Sequence, residues 1–289
     1  MKEDISTGVI GGSGLYKIEG IENIDEIQVE TPFGNPSDKI ITGDMQGKKI
    51  CFLPRHGRGH FIPPSEVNYR ANIFALKKIG VERIISVSAC GSLKETIKPK
   101  HLVIPDQIYD RTKMRVSTFF EKGLVAHIQF DKPYCHDLSG VIYKNAKKQN
   151  AAGDIHLGGT YVCIEGPQFS TVSESRIYRK YGFDIIGMTN LPEAKLAREA
   201  EMCYATIGMV TDYDVWKEGE EVSVDVVVAN LMHNVERVKK IIKETVRNMP
   251  TRTECTCRQA LKNSIQTKKD KRDKKIIKKL SPIVKKYID

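Results

Sequence analysis

The 289-residue sequence has 7 cysteines but no C-x-x-C pair, which removes both the zinc ribbon and the thioredoxin-type redox motif. A dinucleotide fingerprint is missing too. Gly12 and Gly14 begin one after an apolar run, but the last glycine of G-x-G-x-x-G would fall on Lys17. No Gly-Lys-Ser/Thr triplet follows at P-loop spacing, so that nucleotide cradle is also excluded. No apolar run approaches the length of a bilayer span, and the charged start Met1-Lys2-Glu3-Asp4 is not a secretion signal. Internal repeats are lacking. These absences predict a soluble, cytoplasmic protein whose thiols are mostly buried and reduced. Cys255-Thr256-Cys257 is the exception, since a C-x-C can be redox-active or close a small disulfide.

The formal net charge of +10 is not spread along the chain. Eleven Lys or Arg against three Asp between Lys262 and Asp289 account for +8, which leaves the body near neutral. Aromatic residues make up 7% and no nucleic-acid-binding module is recognisable, so a nucleic-acid partner is not expected. The Lys-rich end carries Ile276, Ile277, Leu280, Val284 and Tyr287 at helical spacing, interrupted by Pro282. That pattern predicts a solvated, partly helical tail and not a membrane tether.

The body alternates Val/Ile-rich runs with helical patterns. Strands are predicted at TGVIGG, KKICFLP, RIISVSAC, HLVIPDQIYD, TYVCIEG, DIIGMTN and ATIGMVTDYD. Helices are predicted over Val67–Ile79, Leu191–Met202 and Ser223–Met249, with a short terminal helix after Pro250. Alternation of this kind implies an α/β fold with an extensive, partly parallel sheet. In such sheets ligands gather at the carboxyl ends of strands. Here those ends carry Gly11-Gly12-Ser13, Arg55-His56, Ser88-Ala89, Glu165-Gly166, Met188-Thr189 and Thr211-Asp212.

Three of these clusters carry chemistry. The turn at Ser13 offers backbone N–H groups and a hydroxyl to an anion. PRHGRGH sets Arg55, His56, Arg58 and His60 among glycines directly after a strand, a donor density suited to a tetrahedral oxyanion. In VTDYDVW, strand alternation puts Asp212 and Asp214 on one face with Tyr213 opposite. Such a pair can share a proton, bind a metal, present a protonated acid to a heterocycle, or simply cap a helix. No histidine stands nearby to complete a metal set, so no metal is expected there.

Taken in order, GGSGLY, PRHGRGHFIPPSEVNYRANI, SVSACGSL, IPDQIYDRTK, CIEGPQFSTVSESR, GMTNLPEAKLAREAEMCYA and TDYDVW resemble the trimer-forming branch of the purine nucleoside phosphorylase family. The likeness is to the members that act on methylthioadenosine, and it runs from about Gly8 to about Ala260. It implies a single-domain mixed twisted β-sheet surrounded by α-helices over residues 1–266, followed by a Lys-rich tail over 267–289. It also implies phosphorolysis of the nucleoside by inorganic phosphate, a co-substrate, with no cofactor and no metal.

By the same resemblance Ser13, Arg55, His56, Ser88, Ala89 and Thr189 bind phosphate, Met188 lies beneath the ribose and Phe169 lies against the base. Asp212, Tyr213 and Asp214 contact the substrate. Asp212 is the catalytic acid that protonates the leaving purine, its pKa raised by burial beside Asp214. Ser170 stands where 6-oxopurine relatives carry Glu, which favours adenine over hypoxanthine; methylthioinosine or a general purine nucleoside is the alternative substrate. Val222 and Val224 line an apolar 5′ pocket. A neighbouring subunit contributes His127 and the region of Leu261, so a homotrimer or homohexamer is expected. Disulfides between Cys135 and Cys203, or Cys255 and Cys257, occur in some relatives and belong to the same expectation.

Overall fold

Two ten-residue strands, β5 (Arg83–Ser92) and β11 (Cys203–Asp212), form the spine of the molecule. They run parallel, with Cys203 opposite Arg83 through Val210 opposite Cys90. Every residue in them is buried except Ala89. Their near-continuous apolar runs fit this, because a parallel strand covered on both faces has no solvent side to keep polar. The computed structural model describes residues 5–12, 15, 20–149, 154–219, 224–251 and 255–288.

On one flank of β5, β1 (Thr7–Gly11) and then β4 (Lys48–Pro54) add in parallel. An antiparallel meander through β3 (Ile40–Met45) ends at β2 (Ile21–Ile27). β2 is an exposed edge whose charges discourage further pairing. At its carboxyl end β5 turns to pair antiparallel with β10 (Ile185–Gly187), which continues in parallel to β9 (Thr160–Ile164) and β7 (Gln107–Arg111). Beyond β11 lie β6 (Leu102–Ile104) and β8 (Ile155–Leu157). The result is a mixed sheet of 11 strands branching at β5.

Helices cover both faces. One core packs α1 (Tyr69–Lys78) and α4 (Asn190–Glu199) through Ile73, Leu76, Leu196 and Ala197. The other packs α2 (His136–Gln149) and α5 (Val224–Arg247) through Leu138, Ile142, Val235, Val238 and Ile241. Another helix, α3 (Val172–Lys180), opens with a complete capping box between Thr171 and Glu174. The α/β class and the mixed sheet agree with the sequence reading. HLVIPDQIYD, expected as one strand, is two: Pro105 has no N–H for a ladder, and Asp106 and Gln107 both donate to the Gly159 carbonyl at 3.2 Å. After Pro250 there is a 3₁₀ turn at Thr256–Gln259 in place of an α-helix.

The Lys-rich end departs most from expectation, for it is docked and not solvated. Asp273 caps α6 (Lys274–Lys279), accepting from Lys275 N at 2.6 Å, and α7 (Ser281–Val284) follows. Pro282 sits in the first turn of α7, where its missing N–H costs nothing. Leu280, Ile283 and Val284 are at most 3% exposed and join the α1–α4 core. Tyr287 Oη donates to Glu201 Oε1 at 2.6 Å, and Lys286 and Lys279 pair with Glu201 and Glu121. The apolar stripe read in the sequence is thus buried against the core and not solvated. Leu280→Ala is therefore expected to cost about 2–5 kcal/mol of unfolding free energy in urea titrations. A loss below about 0.5 kcal/mol, as for a surface site, would mean the tail is not part of the core.

Candidate active site

Because β1, β4, β5 and β11 run parallel, their carboxyl ends emerge along one edge of the sheet. They surround a cavity of about 290 Å³. Gly12, Arg55, His56, Ser88, Ala89, Phe169, Met188, Thr189, Asp212 and Asp214 all line it, as do Val227 and Leu231 from α5. Asn230 and Asn234 anchor that helix by donating to the Thr211 and Val210 carbonyls at 2.7 and 2.9 Å. Ser13, Val222 and the side chain of Val224 lie outside the described residues. Tyr213 does not reach the cavity; its ring meets Trp216 edge-on at 5.5 Å, because the chain leaves the strand at Asp212 and Asp214 takes φ +54°. The strict alternation expected across Asp212, Tyr213 and Asp214 ends there. Leu261, expected to serve a neighbouring subunit, is 1% exposed within its own core.

Arg55 is largely spent on the fold. Its guanidinium is 1% exposed and pairs with fully buried Glu193 through Nε and Nη2 at 2.8 and 2.9 Å. Nη2 also donates to Ser86 Oγ at 2.7 Å and Nη1 to the Val87 carbonyl at 2.9 Å. One Nη1 proton is left over among the described residues. Burial lowers the guanidinium's pKa, but the Glu193 carboxylate more than offsets this and keeps it charged. The pair is neutral as a unit, so Arg55 brings little net charge to an anion.

His56 is also shaped by burial. Its pKa is lowered to about 4, by burial first and by the Arg55 charge second. It is therefore neutral near pH 7. Nδ1 lies 2.8 Å from the Ile62 carbonyl, so Nδ1 carries the proton and Nε2 keeps its lone pair. Ser88 Oγ, Thr189 Oγ1 and Tyr161 Oη form a hydroxyl cluster, with Ser88 3.0 Å from Thr189 and 3.1 Å from Tyr161. Tyr161 reaches that place only because position 187 is glycine, where a Cβ would lie 1.9 Å from Oη.

Arg115, which the sequence reading missed, organises the Met188–Thr189 turn. It is nearly buried, pairs with Glu165 at 3.0 Å and donates through Nη1 to the Met188 and Leu191 carbonyls, each at 2.6 Å. Gly166 packs on Met188 so closely that a Cβ there would fall 2.5 Å from its sulfur. The thioether is thereby fixed as a floor of the cavity.

The two acids at the end of β11 differ. Asp212 Oδ1 accepts from the Asp214 backbone N–H at 2.7 Å, and Oδ2 stands 2.7 Å from Thr211 Oγ1. Thr211 Oγ1 is also 3.3 Å from the Cys90 carbonyl, so it can donate to an ionised Asp212 or accept from a protonated one. Gly91 makes room, since a Cβ there would sit 2.8 Å from Asp212 Oδ1. Burial raises the Asp214 carboxyl to about 6. The Ser175 hydroxyl and the Val215 N–H oppose that rise, the Asp212 charge adds to it, and Ser170 opposes it in turn. Both hydroxyls lie near enough to act on Asp214 but outside hydrogen-bond geometry, and Asp214 Oδ2, Ser170 Oγ and Ser175 Oγ are buried without a partner among the described residues. Ser170 thus stands behind the acid pair, not in the cavity wall.

Residues 6–247 match the family model described as the Phosphorylase superfamily. The chain is 56% identical over 264 residues to the S-methyl-5′-thioadenosine phosphorylase of Geobacter sulfurreducens, covering 91% of this chain and 92% of that one. It is 53% identical to the same-named protein of Koribacter versatilis, covering 97% and 96% of the two chains. A crystal structure of methylthioadenosine phosphorylase from an antarctic soil metagenomic library aligns with a TM-score of 0.93 at 46% identity, covering 98% of this chain and 99% of that one. Methylthioadenosine phosphorylase from Schistosoma mansoni in complex with adenine aligns with a TM-score of 0.82 at 37% identity, covering 91% and 99%.

The ion pair beneath the cavity can be tested by stability alone. Glu193→Ala strands a buried guanidinium and is expected to cost about 3–5 kcal/mol in urea unfolding. A cost below about 1 kcal/mol would show that Arg55 is compensated by its other partners and does not depend on Glu193.

Proposed function

This chain belongs to the phosphorylase superfamily, and we propose that it cleaves S-methyl-5′-thioadenosine with inorganic phosphate, releasing adenine and 5-methylthioribose 1-phosphate. The observation that carries this reading is the polarity of the cavity. Its wall combines hydroxyl donors and His56, two carboxyl groups, and Met188 with apolar α5 side chains.

Phosphate sits among Ser88, Ala89, Thr189 and His56, with the remaining Arg55 proton in reach. The neutral His56 accepts a phosphate hydroxyl at Nε2, which leaves the other oxygens for the donors and for attack. Fixed donors hold the nucleophile beneath C1′ and replace the entropy cost of a bimolecular encounter. As the C1′–N9 bond breaks, its electron pair moves to the purine and the ribose becomes cation-like. The nearby phosphate charge stabilises that carbon. Asp212 delivers a proton to N7 of the departing base, with Thr211 able to serve both of its protonation states. The chemistry calls for no cofactor.

Ionised Asp214 accepts from the exocyclic amine of adenine, a donor that a 6-oxopurine lacks. Ser170 near it leaves out the carboxylate that 6-oxopurine-specific relatives carry there. Phe169 covers the base, and Val227 and Leu231 take the 5′-methylthio group, where a hydroxyl would gain little. A homotrimer or a dimer of trimers completes the site. Exposed apolar Met114 and Val116 flank Arg115 next to the Met188 turn, which suits cover by a second copy. The function proposed is one of purine and methionine salvage in the cytoplasm.

Base release from methylthioadenosine, methylthioinosine, adenosine and inosine, with and without phosphate, tests the reaction. Phosphate-dependent adenine release, fastest from methylthioadenosine, is expected. Faster hypoxanthine release would overturn the base assignment, and release independent of phosphate would overturn the reaction. Asp212→Asn should lower kcat by roughly 10²- to 10⁴-fold. Asp214 accepts most strongly when ionised and gains a competing O–H donor when protonated, so KM for methylthioadenosine should rise as pH falls through about 6. Asp214→Asn should abolish that rise; a rise that persists would assign it elsewhere.

A further inference from the structure

At the opposite end of β11 from the cavity, roughly 30 Å away at the rise of a β-strand, four cysteines from three places in the chain meet. Cys135 directly precedes α2, Cys203 opens β11, and Cys255 and Cys257 flank the start of the 3₁₀ turn at Thr256–Gln259. Their sulfurs all lie within 4.8 Å of one another, and the sulfurs of Cys203 and Cys255 stand 3.2 Å apart. Cys135, Cys203 and Cys257 are at most 3% exposed, and Cys255 is half-buried. The backbone fixes two of them: Cys135 N donates to the Tyr204 carbonyl at 2.7 Å and Cys203 N to the Glu82 carbonyl at 2.9 Å.

We propose that these four thiols form a structural tetrathiolate site for a soft divalent cation, zinc above all. Sulfurs 2.3 Å from a tetrahedral zinc lie about 3.8 Å from one another, within the spread found here. All four donors are thiols, and a soft, closed sulfur set selects zinc over magnesium or calcium. Binding one Zn²⁺ releases the thiol protons to solvent and leaves a net charge of −2 on the fully deprotonated complex. Arg198 places a positive charge near Cys257, and Cys135 sits at the positive end of α2, both of which offset it. No redox partner is needed. The site would clip the segment at Cys255–Cys257 to β11 and α2, joining the C-terminal arm to the sheet by bonds independent of the apolar core.

The test uses the full-length protein, purified under reducing conditions without chelator and analysed for metals. About one zinc per chain is expected, falling to near zero in Cys257→Ser and unchanged in Cys51→Ser, whose sulfur is outside the cluster. In wild-type protein stripped by chelator and kept reduced, Co²⁺ should give thiolate charge-transfer absorption and tetrahedral d–d bands that Zn²⁺ bleaches. This readout stands even where Cys257→Ser fails to fold. Chelation should also lower the Tm of the wild type. A folded, reduced protein that holds no zinc and gives no cobalt spectrum overturns the proposal. So does an intact mass of unreduced protein short by two hydrogens per Cys135–Cys203 or Cys255–Cys257 bridge.

Discussion

The cavity depends on one ion pair. Arg55 and Glu193 sit where the ends of β1, β4 and β5 meet α4, at 1% and 0% side-chain exposure. Taking two charges out of water costs several kcal/mol for each ion, and their attraction offsets this only when the remaining valences are filled. Here they are. Ser86, the Val87 carbonyl and Tyr204 complete the set, with Tyr204 Oη donating to Glu193 Oε1 at 2.9 Å. The pair ties a loop, a strand, a helix and β11 to one point. Its electrical neutrality decides the character of the site above it, where an anion meets oriented neutral donors and no free guanidinium.

That arrangement also explains which parts were legible in the sequence. Residues such as Ser88, Thr189 and Asp212 advertise themselves locally, as small or polar side chains at the ends of apolar runs. Parallel strands then gather them without further instruction. Glu193 and Arg115 gave no such sign. Each is separated from its partner by scores of residues, and a charged residue in a helix or loop ordinarily reads as a solvated one. Arg55 was found, but the composition of PRHGRGH shows donors and cannot show that most are already engaged. The acid pair was found, but strand alternation could not anticipate the left-handed turn at Asp214 that removes Tyr213 from the cavity.

The same limit hid the ends of the chain. Eleven basic residues dominate the composition of the last segment, whereas Leu280, Ile283 and Val284 decide its position. Burying a few such side chains is worth several kcal/mol, more than exposed lysines gain from solvation they keep in any case. The cysteines follow a parallel logic. Spacing rules recognise metal sites built within one short segment, and a site assembled from α2, β11 and a terminal turn has no spacing to recognise.

Protonation links the two ends of the cavity. Burial acts on both, but in opposite senses of charge: it keeps His56 neutral down to about pH 4 and keeps Asp214 protonated up to about pH 6. Between those values the phosphate end does not change its charge, while the base end does. Of these two groups, Asp214 is therefore the one whose protonation links acid pH to the proposed binding of the purine. Above about pH 6 both ends have the form the reaction uses, a neutral imidazole able to accept from phosphate and a carboxylate able to accept from the adenine amine. The departing base then needs only one proton, and Asp212, held between Thr211 and the Asp214 N–H, is the group we propose to relay it.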